Sequence, residues 1–187
     1  AIVGHVLPHC DEVHKVSIIS RGRAAGYTMS LPSEDKKMHF RNKFIDDMAM
    51  MLGGYAAENE IFGDISTGAS NDLQKATETA KRLVTRYGMS EKLGPRTYGE
   101  REEMIFLGKE IHENRDYSDK TAQDIDHEVL DLLNEALKTA KSIIHKNRKE
   151  IEDIVAVLLE KEVIEKEKFE EIVGAPTKAP KMKPIAA

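Results

Sequence analysis

Three of the chain's histidines and its one cysteine lie within the first fourteen residues. His5 and His9 are four residues apart, and Cys10 and His14 follow closely. Four residues make slightly more than one turn of an α-helix, so this spacing puts two imidazoles on one helix face, where both could bind a zinc ion. The first chemistry that the sequence suggests is therefore a metal site.

Two features argue against a self-contained zinc site at these histidines. Pro8 lies between His5 and His9, and proline breaks a helix because it lacks the backbone N–H and clashes with the preceding turn. No Glu follows His5, so the general base of H-E-x-x-H chemistry is missing. We predict that these are ordinary surface histidines around the end of a helix.

A second candidate ligand is Asp72, which lies in the segment S-T-G-A-S-N-D-L-Q-K-A. Thr67 and Gly68 predict a turn, Ser70 is the expected N-cap of a helix, and Asp72 then falls in the first helical turn. The helix dipole alone favours a carboxylate at that position. Taken by itself, the segment favours a helix-start acid, with a metal ligand as the alternative.

The composition limits the functional classes that are open to this chain. Its 187 residues suffice for one domain with a sizeable core. Acidic residues outnumber basic ones by 33 to 28, which gives no reason to expect a nucleic acid as partner, because phosphate binding favours a basic surplus. The single cysteine excludes an internal disulfide framework. The sequence contains no P-loop motif, so the chain brings no such nucleotide site of its own.

Hydropathy gives no membrane-spanning segment in this chain. No stretch approaches the roughly 18 consecutive apolar residues that a spanning helix requires. The first residues lack the basic segment of a signal peptide. Any attachment to a membrane is therefore expected through segments outside this chain.

The hydrophobic pattern predicts a mainly α domain with a small β-hairpin or sheet near the N-terminus. The charged run E-K-E-V-I-E-K-E-K-F-E-E is interpreted as a solvated helix. Residues 1–174 are assigned to one domain, and the proline-containing segment 175–187 to a disordered tail. The predicted elements are the end of a helix over 1–7, strands over 13–19 and 26–31, a helix from an N-cap at Ser33 to about residue 52, a helix up to Gly63, a helix from Ser70 to Gly88, irregular chain over 89–117, a helix from Ser118 to about 146, a helix over 148–160 and a short helix around Phe169.

Several ordered segments together resemble the peptidase domain of the FtsH family, the membrane-anchored AAA+ zinc metalloproteases. The resemblance extends from Ala1 to about Val173, which is nearly the whole chain. The segments that carry it are S-T-G-A-S-N-D-L-Q-K-A-T (66–77), M-L-G-G-Y-A-A-E-N-E-I-F-G (51–63) and Y-G-M-S-E-K-L-G-P-R-T-Y-G-E (87–100), with further similarity over 13–35 and 105–129.

The resemblance assigns roles to particular residues. In the family, the catalytic helix reads H-E-A-G-H followed directly by A-I-V-G, and this chain begins A-I-V-G. The resemblance therefore implies that two zinc-binding histidines and the general base Glu stand just before Ala1, so that no catalytic residue lies in this chain. It implies that Asp72 is the third zinc ligand and that Glu58 sits near the metal and orients a ligand imidazole. Asn59 stands where the family usually has a second Glu.

A metzincin-type third ligand does not fit this beginning. A metzincin would place Gly three residues, and a third His six residues, after the second motif histidine. Those positions are Val3 and Val6 here, and His5 lies well off the ligand face of the helix. An aspartate as third ligand fits better.

The resemblance also implies the activity of the intact protein. Such a protein degrades unfolded and membrane proteins by zinc-dependent peptide hydrolysis, in which the metal activates a water molecule and polarises the scissile carbonyl. A peptide substrate is expected to lie extended along an edge of the small sheet, at 13–19 or 26–31. An upstream ATPase module binds ATP, upstream helices anchor the protein in a membrane, and the protein forms a homo-hexamer, with this domain on the cytoplasmic, matrix or stromal side.

Two expectations concern the 187-residue chain taken alone. One carboxylate cannot hold zinc with useful affinity, because several ligands must chelate the ion together. The isolated chain is therefore expected to be inactive and poor in metal. The alternative function is a non-catalytic helical scaffold or oligomerisation module, formed by an inactive homologue.

Overall fold

Helices dominate the part of the chain that the computed structural model describes, which is residues 1–20, 22, 26–32, 38–99 and 116–177. This confirms the prediction of a mainly α domain with one small sheet near its N-terminus. In chain order the elements are α1 (Ile2–Val6), β1 (Glu12–Ser17), β2 (Tyr27–Leu31), α2 (Arg41–Met51), α3 (Gly53–Phe62), a 3-10 turn (Thr67–Ala69), α4 (Ser70–Thr85), α5 (Asp119–Lys146), α6 (Arg148–Lys161), β3 (Val163–Glu165) and α7 (Lys166–Val173).

The central element of the fold is the 28-residue helix α5, which contacts α1, α2, α3, α4 and α6. Its apolar residues recur at steps of three and four, which places them on one face of the helix, and that face is buried. The helix begins at Asp119, close to the predicted start at Ser118, and Ser118 caps it, because its Oγ accepts a hydrogen bond from the backbone N–H of Thr121 at 3.3 Å. Buried members of the stripe are Ile125, Val129, Leu132, Ala136, Ala140, Ile143 and Ile144.

The predicted start of α2 is wrong. The helix begins at Arg41, because Phe40 has an extended backbone with φ −85° and ψ 158°. Arg41 Nε donates a hydrogen bond to the carbonyl oxygen of Met89 at 3.0 Å, and this tertiary contact fixes the first turn of the helix. Ser33, the predicted N-cap, lies outside the described residues, as does the apolar piece M-I-F-L-G (104–108).

The sheet has the strand order β2–β1–β3 and is antiparallel throughout. The hairpin of β1 and β2 was predicted, whereas β3 was not. The charged run assigned to one solvated helix instead contains β3 and most of α7, and Ile164 of β3 is buried. Over Lys15–Ser17, β1 is paired on both sides and cannot offer a free edge to a peptide, so this part of 13–19 is excluded as the substrate-binding edge.

The chain reverses between α6 and β3 at Glu162. This residue has a left-handed backbone with φ 60°, a conformation in which helix ends usually have glycine. Its N–H donates to the carbonyl of Leu158 at 2.8 Å, and its own carbonyl accepts from the N–H of Ile18 at 3.0 Å. The turn thereby ends α6 and aligns β3 with the end of β1.

No helix in the described ranges is long and apolar enough to cross a membrane. The assignment of 1–174 to a single domain stays a prediction. So does the tail over 175–187, most of which lies outside the described residues.

Candidate functional site

The N-terminal histidines do not converge on one site. His5, on α1, is only 6% exposed, and its ring meets the ring of Phe169 edge-on at a centroid distance of 5.2 Å. His9 lies past the end of α1, where its Nδ1 is 2.8 Å from Oδ2 of Asp46 on α2. The two side chains therefore serve different contacts. The prediction that both are surface histidines is wrong for His5, because α7 covers it.

Cys10 does not complete a metal site with these histidines. Burial raises the pKa of its thiol far above the usual range, and the charge of Asp47 raises it further. A protonated thiol is a poor ligand for zinc, since the thiolate is the binding form. Within the described ranges, no three His, Cys, Asp or Glu side chains are grouped so that they could hold a metal ion.

Asp72 lies in the first turn of α4, as predicted, and is exposed to solvent. No described residue forms a side-chain hydrogen bond or an ion pair with its carboxylate. Ala1 is also exposed, yet desolvation by the surrounding protein lowers the pKa of its amine, while Cys10 and Asp72 raise it. The charge of Asp72 therefore acts across the fold on the start of α1.

Two side chains fix the backbone that leads to Asp72. Glu58, on α3, accepts hydrogen bonds from the N–H of Ser66 at Oε2 (2.7 Å) and from its hydroxyl at Oε1 (2.9 Å). Oγ of Ser66 in turn accepts from the N–H of Gly68 at 3.1 Å, which caps the 3-10 turn that runs into α4. We refer to this unit of Glu58 and Ser66 as the Glu58–Ser66 clamp.

The clamp corrects the predicted cap. Ser70 was expected to cap the helix, but it is the first residue of α4 and follows directly on the 3-10 turn. The turn moves the capping side chain four residues upstream, to Ser66. Gly68 belongs to the same close arrangement, because a Cβ at this position would lie 3.2 Å from Oγ of Ser66 and 3.5 Å from Oε1 of Glu58.

A lysine on α5 contacts α3, the helix that carries Glu58 of the clamp. Nζ of Lys141 donates a hydrogen bond to Oδ1 of Asn59 at 2.6 Å and lies 3.0 Å from Oε1 of Glu60. The two contacts tie α3 to α5 directly beside Glu58. Sequence reasoning missed both Ser66 and Lys141. The S-T-G order could have indicated a capped turn at Ser66, whereas nothing local indicates a partner 82 positions away.

The residues of this corner do not form a complete zinc site. A carboxylate is a suitable zinc ligand, and Asp72 is exposed. Tetrahedral zinc sites in enzymes take three protein ligands, however, and the described residues bring no group of three together. The described residues by themselves therefore do not form such a site.

Comparison with known proteins relates nearly the whole chain to one family. Residues 1–172 match the family model described as Peptidase family M41. Among the similar proteins is "ATP-dependent zinc metalloprotease FtsH 1" of Conexibacter woesei, which is 50% identical over 177 residues, covering 95% of this chain and 27% of that protein. The protein of the same name in Sphaerobacter thermophilus is 44% identical over 182 residues, covering 97% and 28%.

A third relative gives the same result. "ATP-dependent zinc metalloprotease FtsH" of Thermotoga maritima is 47% identical over 175 residues, covering 93% of this chain and 29% of that protein. The chain spans between a quarter and a third of the length of the relatives that it matches.

Proposed function

The chain belongs to peptidase family M41, and we propose on this premise that it is the peptidase domain of an ATP-dependent zinc metalloprotease that degrades proteins. The observation that carries the proposal is the placement of Asp72. Its carboxylate is exposed, forms no side-chain bond within the described ranges and acts electrostatically on the start of α1. A carboxylate in this setting is available to a metal ion at the N-terminal end of α1.

In this proposal Asp72 supplies one zinc ligand of the intact protein. The other ligands, two histidines, and the general base Glu are contributed by a segment that directly precedes α1. The Glu58–Ser66 clamp supports the assignment of Asp72, because it holds the turn that sets where α4 begins and hence where Asp72 points. That Glu58 also orients a ligand imidazole stays a prediction.

Further parts of the proposal concern the whole protein. ATP is bound by a module outside these 187 residues, and membrane attachment comes through segments outside them. We also propose a homo-hexamer, with protein or peptide substrates and with this domain on the cytoplasmic, matrix or stromal side. A substrate peptide held along the sheet would add to β2, since β2 is an edge strand in the order β2–β1–β3.

Zinc content and proteolysis test the proposed function directly. We compare the 187-residue chain with an extended chain, in which a helix ending in H-E-A-G-H precedes Ala1. The extended chain is expected to hold about one zinc per chain by elemental analysis and to hydrolyse casein, with both lost on treatment with a chelator. The 187-residue chain is expected to hold almost no zinc and to leave casein intact.

Two outcomes would contradict the proposal. Stoichiometric zinc in the 187-residue chain would mean that this chain contains a complete site. An extended chain that folds and binds zinc but cleaves no substrate would favour the alternative of a non-catalytic helical scaffold.

The Glu58–Ser66 clamp leads to a separate prediction for zinc affinity. Ser66→Ala removes the hydroxyl that Glu58 and the N–H of Gly68 share. We expect the zinc affinity of the extended chain to fall by about 10-fold to 100-fold, the usual effect of losing a group that orients a metal ligand. Competition with a chromophoric chelator measures this change.

Ser118→Ala is the matched control for Ser66→Ala. Ser118 also accepts a backbone N–H at a helix start, so its loss costs about 1 kcal/mol of stability, as for other N-caps. It caps α5, however, and not the turn before Asp72. Equal zinc affinities for the two variants would show that the clamp contributes only to stability.

A further inference from the structure

A buried histidine joins the first and last helices of the described chain. The side chain of His5, on α1, is 6% exposed and packs edge-on against Phe169 of α7, which is fully buried. Nε2 of His5 is buried and has no hydrogen-bond partner within the described part of the chain. The contact between α1 and α7 therefore contains a buried imidazole nitrogen that has no hydrogen-bond partner among the described residues.

The charged groups that face His5 come from two elements and from the start of the chain. Burial, the largest effect, lowers the pKa of His5, and the amine of Ala1 lowers it as well. A hydrogen bond to the backbone of Gly174, just after α7, raises the pKa of His5, and so do the carboxylates of Glu170 on α7 and Glu12 on β1. Burial prevails over these groups, so the imidazole is neutral at neutral pH.

The carboxylates near His5 are both close to one lysine. Glu12 pairs with Nζ of Lys166, and Glu170 lies 3.8 Å from the same ammonium group. Nε2 of His5, by contrast, is buried without a hydrogen-bond partner among the described residues.

We propose that His5 is an acid-sensitive latch for α7. Proton uptake by its imidazole places a charge and an unpaired N–H against Phe169, and α7 is released from α1 while the other helices stay folded. A histidine in the released state titrates near pH 6.5. Because the docked state disfavours the proton, docking is strongest above pH 6.5 and weakens as the pH falls below that value.

The size of the effect follows from the titration of one group. If His5 stays neutral while docked and has a pKa near 6.5 when released, the equilibrium constant for release rises by up to about 30-fold between pH 7.5 and 5.0. The latch does not depend on zinc or on the proposed peptidase function. It is a property of the 187-residue chain and can be measured there.

Amide hydrogen exchange at the two pH values tests the latch. After correction for intrinsic exchange, amides of α7 such as those of Phe169 and Ile172 are expected to open about 5-fold to 30-fold more often at pH 5.0, while the buried stripe of α5 stays protected. His5→Phe and His5→Asn remove the titrating group, and in either variant the pH dependence of α7 is expected to disappear. His145→Asn alters an exposed histidine at the end of α5 and is expected to keep it.

The wild-type chain by itself can overturn the proposal. Exchange of α7 that does not change with pH, or exchange that rises equally in α5, would refute a local latch. The NMR titration of the His5 ring must also give a pKa below 6.5. A value at or above 6.5 would contradict the proposal whether or not the two His5 variants fold.

Discussion

Asp72→Asn lowers the zinc affinity of the extended chain by more than about 100-fold, and casein hydrolysis falls with it. This expectation exceeds the range of about 10-fold to 100-fold for groups that only orient a ligand, since Asp72 would itself touch the ion. The amide keeps the size of the side chain but loses the charge that attracts zinc. Chelator competition gives the affinity, and the casein assay gives the activity.

The fold is expected to tolerate this substitution. Asp72 is exposed in the first turn of α4, and the loss of its interaction with the helix dipole costs about 0.3–1 kcal/mol. Glu150→Gln, in the first turn of α6, removes the same interaction from a helix away from the clamp and serves as the control. If Asp72→Asn and Glu150→Gln bind zinc equally well, Asp72 is a helix-start acid and not a ligand.

The sequence pattern alone could place Asp72 but not assign its role. The segment around Ser70 predicted that Asp72 lies in the first turn of a helix. An acid stabilised by the helix dipole was the simpler interpretation of this position. The resemblance to a known family favoured a ligand. What the pattern could not provide is the electrostatic effect of Asp72 on the start of α1, because the two residues are far apart in sequence and interact only through the tertiary fold.

The clamp was missed because its geometry depends on a short turn. An N-cap at Ser70 is reasonable if α4 has no helical residues before it. The 3-10 turn over Thr67–Ala69 runs directly into α4, however, so the helical backbone already begins upstream of Ser70. The capping role then passes to Ser66. Its second partner, Glu58, lies on α3, eight residues before it, so spacing along α4 gives no indication of it.

The long periodic helix α5 could be predicted, whereas the three-residue strand β3 could not. The stripe of α5 repeats over 28 residues, so its periodicity is unmistakable. The strand β3 has three residues within a charged run, and the turn before it uses Glu162 in a conformation that usually indicates glycine. Pairing with β1, far away in sequence, is what makes these residues a strand.

The burial of His5 illustrates the same limit of local patterns. Its neighbours along the chain include a proline and further histidines, which is typical of an exposed helix end. The residue that covers it, Phe169, belongs to a helix at the other end of the described chain. Only the pairing of β3 with β1, which carries α7 towards α1, brings the two rings together.

Phe169→Ala is expected to lower the free energy of unfolding by about 3–5 kcal/mol, the range for removing a fully buried aromatic ring. Phe169 has no exposed surface and lies among the largest buried side chains of the core. Urea unfolding followed by circular dichroism measures the loss. Phe62→Ala is the control, because Phe62 is 77% exposed at the end of α3, and its removal should change stability by no more than about 0.5 kcal/mol.

Whether Phe169→Ala destabilises α7 alone or the whole domain shows how α7 is coupled to the rest of the fold. If α7 opens on its own, Phe169→Ala exposes the α7 amides to exchange at neutral pH and leaves the stripe of α5 protected. The His5 ring, no longer covered, should then titrate near pH 6.5 instead of below it. If α5 instead loses protection to the same extent as α7, the two helices unfold as one unit, and the acid sensitivity of His5 would act on the whole domain.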